Sequence, residues 1–360
     1  MKYFNPLKIV LGLALSVFAS PIFAQIDSCN AFLQGSFIEV GVNTNGAYGS
    51  SCSAPPGFHP KGGASINNTC YPGYCVVGGT NVGFVADPAK DGWTVGTPPY
   101  FGDYFLPGSP QEGWSLQADS FRIDAWNGGS YCGGNPFTYA GSKRIEPGYA
   151  NVKYSVQGKY KTTIWTGIFD SLNIIQTTIM DTTSVYFTVY VEIHNISTVA
   201  KHNIFYLRTV DPDNDEPEPG GGFTTVNTVE YQLPNTKGAT LVSGVGQSSA
   251  LAYLGLGTLD CRARCFIIMN SGLDPLTGVT GANGLDAMYN NGTGFDGSTT
   301  TDYKYSGANT QDQGIGLVFK LGDLNPGECT SLPYAYILRK ADLDAAFAST
   351  KAKWNSFGDT

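Results

Sequence analysis

From residue 185 to 194 the side chains alternate with a period of two. Val185, Phe187, Val189, Val191 and Ile193 fall on one side of an extended chain, and Tyr186, Thr188, Tyr190, Glu192 and His194 on the other. This is the pattern of a strand with one face against a core. The stretches 162–169, 172–180 and 203–210 adjoin it through short polar connections, so antiparallel pairing follows. Further strand candidates lie at 36–42, 82–86, 240–243, 250–256, 265–269, 315–321 and 334–338, separated by Gly-, Asn- and Ser-rich loops such as 271–306. Only 341–354 reads as a helix, with Leu343, Phe347 and Trp354 near one face and alanines between them. Strands in succession without intervening helices predict an all-β fold, a large antiparallel two-sheet β-sandwich with long Gly/Asn-rich loops and a short C-terminal helix. The economical division is a single large domain over 25–360: a loop-rich layer over 25–150, core strands over 151–340 and the helix over 341–354.

Composition adds exclusions. With 42% hydrophobic residues the chain can bury a sizeable core, and it is charge-poor at 14%, against roughly 25% in typical domains. A net charge of −8 with only 21 Lys and Arg leaves no basic surface to neutralise a phosphate backbone, which argues against nucleic acid and anionic membranes as partners.

The N-terminus reads as a secretory signal over 1–24, with basic Lys2 and Lys8, an apolar run over 9–18 and cleavage after Ala24; Val17, Phe18 and Ala19 offer a competing site. Ser16, Ser20 and Pro21 interrupt the run, which falls short of the roughly 20 apolar residues of a membrane span. A secreted or cell-surface protein is expected, with no span after cleavage. All eight cysteines, Cys29, Cys52, Cys70, Cys75, Cys132, Cys261, Cys265 and Cys329, lie beyond the signal. An even count in an exported chain favours disulfides and no free thiol. Cys70 with Cys75 and Cys261 with Cys265 are the close pairs, and neither has one of the three histidines (His59, His194, His202) beside it as zinc would ask.

Two segments carry candidate chemistry. Asp211, Asp213, Asp215, Glu216 and Glu218 crowd five carboxylates into eight residues. Oxygen donors in such a turn suit calcium, and Asp211, Asp213, Asp215 and Glu216 are the expected ligands; a solvated acidic loop is the equally weighted alternative. The spacing is not that of an EF-hand, because Glu216 stands where its glycine belongs. The second segment sets Trp93, Tyr100, Tyr104 and Trp114 among Asp103 and Glu112. Aromatic rings can stack on sugar faces while carboxylates accept hydroxyl hydrogen bonds, and the same residues can instead pack a core. A glycoside hydrolase would draw an acid and a base from Asp103, Glu112, Asp119 and Asp124, separated by roughly 5 to 9.5 Å. Nucleophile-elbow, zinc-protease and phosphate-loop motifs are missing from the sequence. Arg262 and Arg264 beside Asp260 read as structural ion pairs, and His194 and His202 as satisfied or solvent-facing side chains at a turn.

Five stretches together carry a resemblance. They are Val85-Ala-Asp87-Pro with Asp91-Gly-Trp93, Tyr100 to Pro110 with Glu112-Gly-Trp114, Tyr206-Leu-Arg208-Thr-Val-Asp211-Pro-Asp213, Leu254-Gly-Leu-Gly with Asp260-Cys-Arg262-Ala-Arg264, and Ile315-Gly-Leu-Val-Phe319 with Leu321-Gly-Asp323-Leu-Asn-Pro326-Gly327. The set resembles a large β-sandwich, or supersandwich, module of secreted and surface adhesin-like proteins of Bacteroidetes-type bacteria, over about residues 83–343. The resemblance implies surface attachment or matrix binding and supplies no catalytic residues. Those proteins are often long multidomain chains ending in a sorting domain, so a freestanding subunit is expected here. The expectation is a non-catalytic, calcium-stabilised adhesin-like protein that binds extracellular polysaccharide or other surface proteins; the alternatives are a self-assembling fibre or sheath subunit and a carbohydrate-active enzyme.

Overall fold

The computed structural model describes residues 26–27, 30–49, 54–55, 57–59, 82–93, 112–126, 151–214, 222–247, 251–268, 284–291, 303–304 and 306–357. Its strands, in chain order, are β1 (Ile26–Asp27), β2 (Asn30–Gln34), β3 (Ile38–Val42), β4 (Phe84–Ala86), β5 (Glu112–Ala118), β6 (Phe121–Trp126), β7 (Asn151–Gln157), β8 (Tyr160–Phe169), β9 (Leu172–Asp181) and β10 (Tyr186–Asn195). They continue with β11 (Lys201–Val210), β12 (Thr225–Tyr231), β13 (Thr240–Gly246), β14 (Tyr253–Thr258), β15 (Ala263–Ile268), β16 (Tyr303–Lys304), β17 (Gly307–Gln311), β18 (Ile315–Leu324) and β19 (Cys329–Ile337). Helix α1 spans Gly284–Asn291 and α2 spans Leu343–Phe357.

Among the described residues the strands form three antiparallel sheets. A nine-stranded sheet runs β17-β12-β13-β14-β19-β10-β9-β8-β7, a six-stranded sheet β16-β15-β18-β11-β5-β6, and a small one β1-β2-β3-β4. The two large sheets face each other across one core that takes Trp165, Ile174, Val189 and Tyr334 from the first and Trp114, Tyr206, Leu317 and Phe319 from the second. The all-β sandwich read from the periodicity is therefore the fold, with a third, smaller sheet that contributes Val40 and Phe84 to the same core.

The period-two pattern maps directly onto burial. In β9 every second residue from Leu172 to Met180 is buried and the intervening ones are half-buried. In β10 the inward set Phe187, Val189, Val191 and Ile193 is fully buried, but Thr188 and Tyr190 on the other face are buried too. Helix α2 explains the second face: it lies on the outside of the nine-stranded sheet, where Phe347 and Ala346 pack on Leu241, Ala335 and Ile337. The Tyr190 hydroxyl reaches the carbonyls of Thr350 at 3.1 Å and Ser349 at 3.3 Å. Gly257 permits this seat, since a Cβ there would stand 2.8 Å from the Phe347 ring.

The sequence reading needs two corrections. Residues 271–306, expected to be loop, contain α1, which covers the outside of the six-stranded sheet with Leu285 and Met288 on Phe205, Leu207, Phe266 and Val318. Its apolar residues are too few, and too hemmed in by Gly and Asn, to give a legible helical period. The segment 25–150, expected to be loop-rich, supplies β5 and β6 to the six-stranded sheet, with Trp114, Leu116 and Ala118 alternating inward. Of the eight cysteines, Cys261, Cys265 and Cys329 lie among the described residues, and none of the three is in a disulfide there. Cys265 points from β15 into the core with its Sγ 3.4 Å from the Tyr231 carbonyl, while Cys261 lies exposed in the preceding turn, so the close pair faces apart. The other five cysteines, the signal over 1–24 and the residues Tyr100, Asp103, Tyr104, Asp215 and Glu216 lie outside the described residues. No described helix is long and apolar enough to cross a membrane.

Burial pushes the Cys265 thiol well above its ordinary range. Mass-mapped alkylation of the native protein should therefore modify Cys261 and Cys329 and spare Cys265 until denaturant is added. Recovery of Cys261 and Cys265 in one disulfide-linked peptide would contradict the arrangement.

Candidate functional site

The most concentrated chemistry lies inside the sandwich. Strand β11 is buried on both faces: Phe205 and Leu207 meet α1, and Tyr206 and Arg208 point between the sheets. Arg208 is completely buried and pairs with Glu112, also completely buried, at 2.5 Å. Its Nε donates to the Tyr336 hydroxyl at 2.9 Å and one terminal nitrogen to Gln176 Oε1 at 3.1 Å. The Tyr336 hydroxyl in turn donates to Glu112. The guanidinium also lies over the Tyr48 ring, 4.3 Å from its centroid.

A short segment between β3 and the rest of the chain completes this centre. The Tyr48 N–H donates to Glu112 Oε2 at 2.5 Å, and the carbonyls of Thr44, Asn45 and Gly46 accept from Trp165, Trp114 and Gln176, each at 2.8 Å. Gly46 sits at φ 74°, and a Cβ there would meet the Trp165 ring at 2.8 Å, so both backbone and space call for glycine. Burial pushes the Glu112 carboxyl up to about 7 although Arg208, Tyr336 and the Tyr48 N–H all favour its anion. Arg208 stays cationic, its pKa raised well above the ordinary value by Glu112 and the surrounding tyrosines against the cost of burial. The arrangement is a closed charge pair in which Arg208 donates through Nε and one terminal nitrogen to Tyr336, Gln176 and the Gly46 carbonyl, and it ties the two sheets to each other.

This placement corrects the reading of Glu112 and Trp114 as ligand-binding residues, since both point inward from β5 and are buried. The carboxylates considered for glycoside hydrolysis also separate. Asp124 sits on the opposite face of the same sheet, bonded to Ser115 at 2.5 Å and paired with Arg122 at 2.9 Å, and burial raises its carboxyl. Asp119 lies in the β5–β6 turn and accepts the His202 N–H at 2.9 Å. Among the described residues Glu112, Asp119 and Asp124 do not converge on one space.

Two surface groupings remain. Trp93 is partly exposed, and its Nε1 donates to the Ser36 carbonyl at 3.0 Å. The indole stacks on His59 with centroids 4.5 Å apart and planes 3° from parallel. His59 is itself held by Glu39, buried on β3, at 2.8 Å from Nδ1. The Asp87 carboxylate accepts the Gly92 N–H at 2.9 Å and so shapes the turn before Trp93. The second grouping is acidic: ligand oxygens of Asp211, Asp213 and Asp312 all lie within 4.8 Å of one another. Asp312 joins because Val210 pairs with Ile315, which sets the residues after β11 against those before β18.

The chain matches no protein-family model and no curated protein sequence. Its solved structural neighbours are distant. A putative aldose 1-epimerase from Escherichia coli K12 aligns over 86% of this chain and 98% of its own at 11% identity and a TM-score of 0.31. A family-36 α-galactosidase from Geobacillus stearothermophilus aligns over 86% of this chain and 40% of its own at 9% identity and 0.32. A polysaccharide lyase aligns over 66% of this chain at 11% identity and 0.30, and there the match spans 25% of the lyase.

The remaining polar calls fall on the surface. Arg262 pairs with Asp260 at 2.6 Å, Arg264 lies over the Tyr289 ring at 4.5 Å, His194 contacts Glu192 at 3.3 Å and His202 contacts Asp323 at 3.0 Å. Sequence reading missed Arg208, Gln176, Tyr48, His59 and Asp312. The available signal was Arg208 itself, a charge in the apolar half of its strand, in phase with Tyr206 and Val210.

Proposed function

We propose that this is an exported, non-catalytic β-sandwich protein of adhesin-like or matrix-binding type that holds extracellular polysaccharide on the face built around Trp93. The observation that carries the reading is the Trp93–His59 stack: a partly exposed indole held by a ring and by a backbone carbonyl. A preordered aromatic face binds a sugar ring with little further loss of side-chain entropy. The ion-paired burial of Glu112 and Asp124 supports binding over hydrolysis, because neither carboxylate is placed to meet a substrate. Retention on insoluble polysaccharides should fall about tenfold in Trp93→Ala, the scale of one lost ring contact, with Tm lowered by only a few degrees. Equal retention by variant and wild type, or release of reducing sugar by the pure protein, overturns the proposal.

Calcium belongs to the same proposal. Three carboxylates from two separate segments would supply part of the six to eight oxygens that calcium takes. Binding to the folded state alone would raise stability by about 2.7 kcal/mol at a hundredfold excess over Kd. Chelator should therefore lower Tm in the wild type and leave Asp213→Ala unchanged; a Tm insensitive to both chelator and calcium makes the cluster a solvated loop.

A second reading, a fibre or sheath subunit, is favoured by β17, an edge strand of the nine-stranded sheet whose residues are largely exposed. Such an edge can accept a strand from a second chain. Filaments in negative-stain images of the pure protein would select this reading.

A further inference from the structure

We propose that the cavity between α2 and the turn joining β14 to β15 binds a small carboxylate-bearing sugar of the uronate type. The cavity shares no residue with the Trp93 face, so either proposal can fail while the other stands.

Pro333 in β19 opens this space. The ladder between β14 and β19 pairs Gly255, Leu256 and Gly257 with Ile337, Tyr336 and Ala335, and it stops short of Pro333, which has no N–H to extend it. Beyond that point the two chains part. The Thr258 hydroxyl takes the Pro333 carbonyl at 2.5 Å, and α2 lies alongside the gap. What remains is an open cavity of about 550 Å³, within the roughly 300–1,000 Å³ range of small-molecule sites.

Its lining is cationic on an acidic protein. Lys237, Lys351, Arg262 and Asp260 face the cavity. Asp260 neutralises Arg262 through contacts of 2.6 and 3.0 Å, and Thr330 and Ser331 hold the same guanidinium at 2.9 and 2.5 Å. The two lysines are exposed and make no ion pair among the described residues. Among the described residues the cavity therefore carries two positive charges without an ion-pair partner, on a chain of net charge −8, which concentrates anions there. Leu259 and Pro333 give it an apolar wall suited to the C–H face of a sugar ring. Asn355, exposed near the end of α2, adds an amide. Charge, apolar wall and amide together match a carboxylate on a sugar ring better than a bare anion.

Cys261 makes the site measurable. Its exposed thiol lines the cavity, whereas the exposed Cys329 thiol does not. Alkylation of the intact protein, mapped by mass, should slow at Cys261 and remain unchanged at Cys329 when glucuronate or galacturonate is added. Glucose, galactose and acetate at equal ionic strength should leave both rates unchanged. The double variant Lys237→Gln, Lys351→Gln should keep its Tm and need about tenfold more uronate for the same protection, the loss expected for one charge-assisted contact. Protection by acetate equal to that by uronate, equal slowing at both cysteines, or no slowing at millimolar uronate overturns the proposal.

Discussion

Arg208→Met is expected to destabilise the protein by about 3–5 kcal/mol, because it removes one partner of a fully buried ion pair and leaves the Glu112 carboxyl without its counter-charge. The double variant Arg208→Met, Glu112→Gln should regain much of that loss, since no charge then remains buried. Chemical denaturation of the two variants beside the wild type measures both values. The pH dependence has a definite sign. Burial raises the folded-state carboxyl to about 7, against about 4.3 in an unfolded chain. The folded protein therefore holds a proton that the unfolded chain has released, and the stability from this group is full below about 4.3 and lost as pH rises through 7. Without Arg208 the carboxyl moves higher still, so the gap between wild type and Arg208→Met should widen from pH 5 to pH 8. A gap that narrows over that range would show that Glu112 is not the group left uncompensated.

Trp114→Ala carries the second large effect, about 3–5 kcal/mol, with Tm falling on the order of 10 °C. The ring is buried between the sheets, 5.5 Å from Trp165 and 6.1 Å from Tyr206, and its Nε1 anchors the Asn45 carbonyl at 2.8 Å. Truncation leaves a void and an unsatisfied backbone acceptor at once. Trp93→Ala should cost far less, because that ring is partly exposed. Thermal melts of the two variants side by side separate a core tryptophan from a surface one. Similar losses would mean that the two rings do not differ in setting.

The contrast between these tryptophans marks what the sequence could convey. Strands with one wet face, such as β9, announce themselves by period, and the sandwich follows from them. β5 does not, because α1 and other cover bury its outward residues Ser115 and Gln117 as well, and Glu112 and Gln117 look like solvent-facing groups until the fold encloses them. The Leu285 N–H donates to Gln117 at 2.9 Å, a partner 168 residues away that no local pattern reveals. Asp211 and Asp213 were legible as an acidic pair, but Asp312 reaches them only through the pairing of β11 with β18. Trp93 and Trp114 have similar local neighbours in the sequence, yet one lies beside a turn of the small sheet and the other at the centre of the core.

The segment from Asn43 to Gly49 also has a consequence for the order of folding. Gly46 accepts hydrogen bonds from Gln176 and Arg208, 130 and 162 residues further along the chain, and Tyr48 meets Glu112 and Tyr336 from two different sheets. These contacts have no local substitute, and each closes a long loop before it returns any stabilisation. The segment leaves the ribosome early, yet its partners exist only after β9, β11 and β19 have been made and paired. The centre of the sandwich is therefore sealed last by one of the earliest parts of the chain. Until that happens the sheets leave Trp114, Trp165 and the Arg208–Glu112 pair without the cover of this segment, which places the greatest exposure to misassembly at the end of the folding reaction.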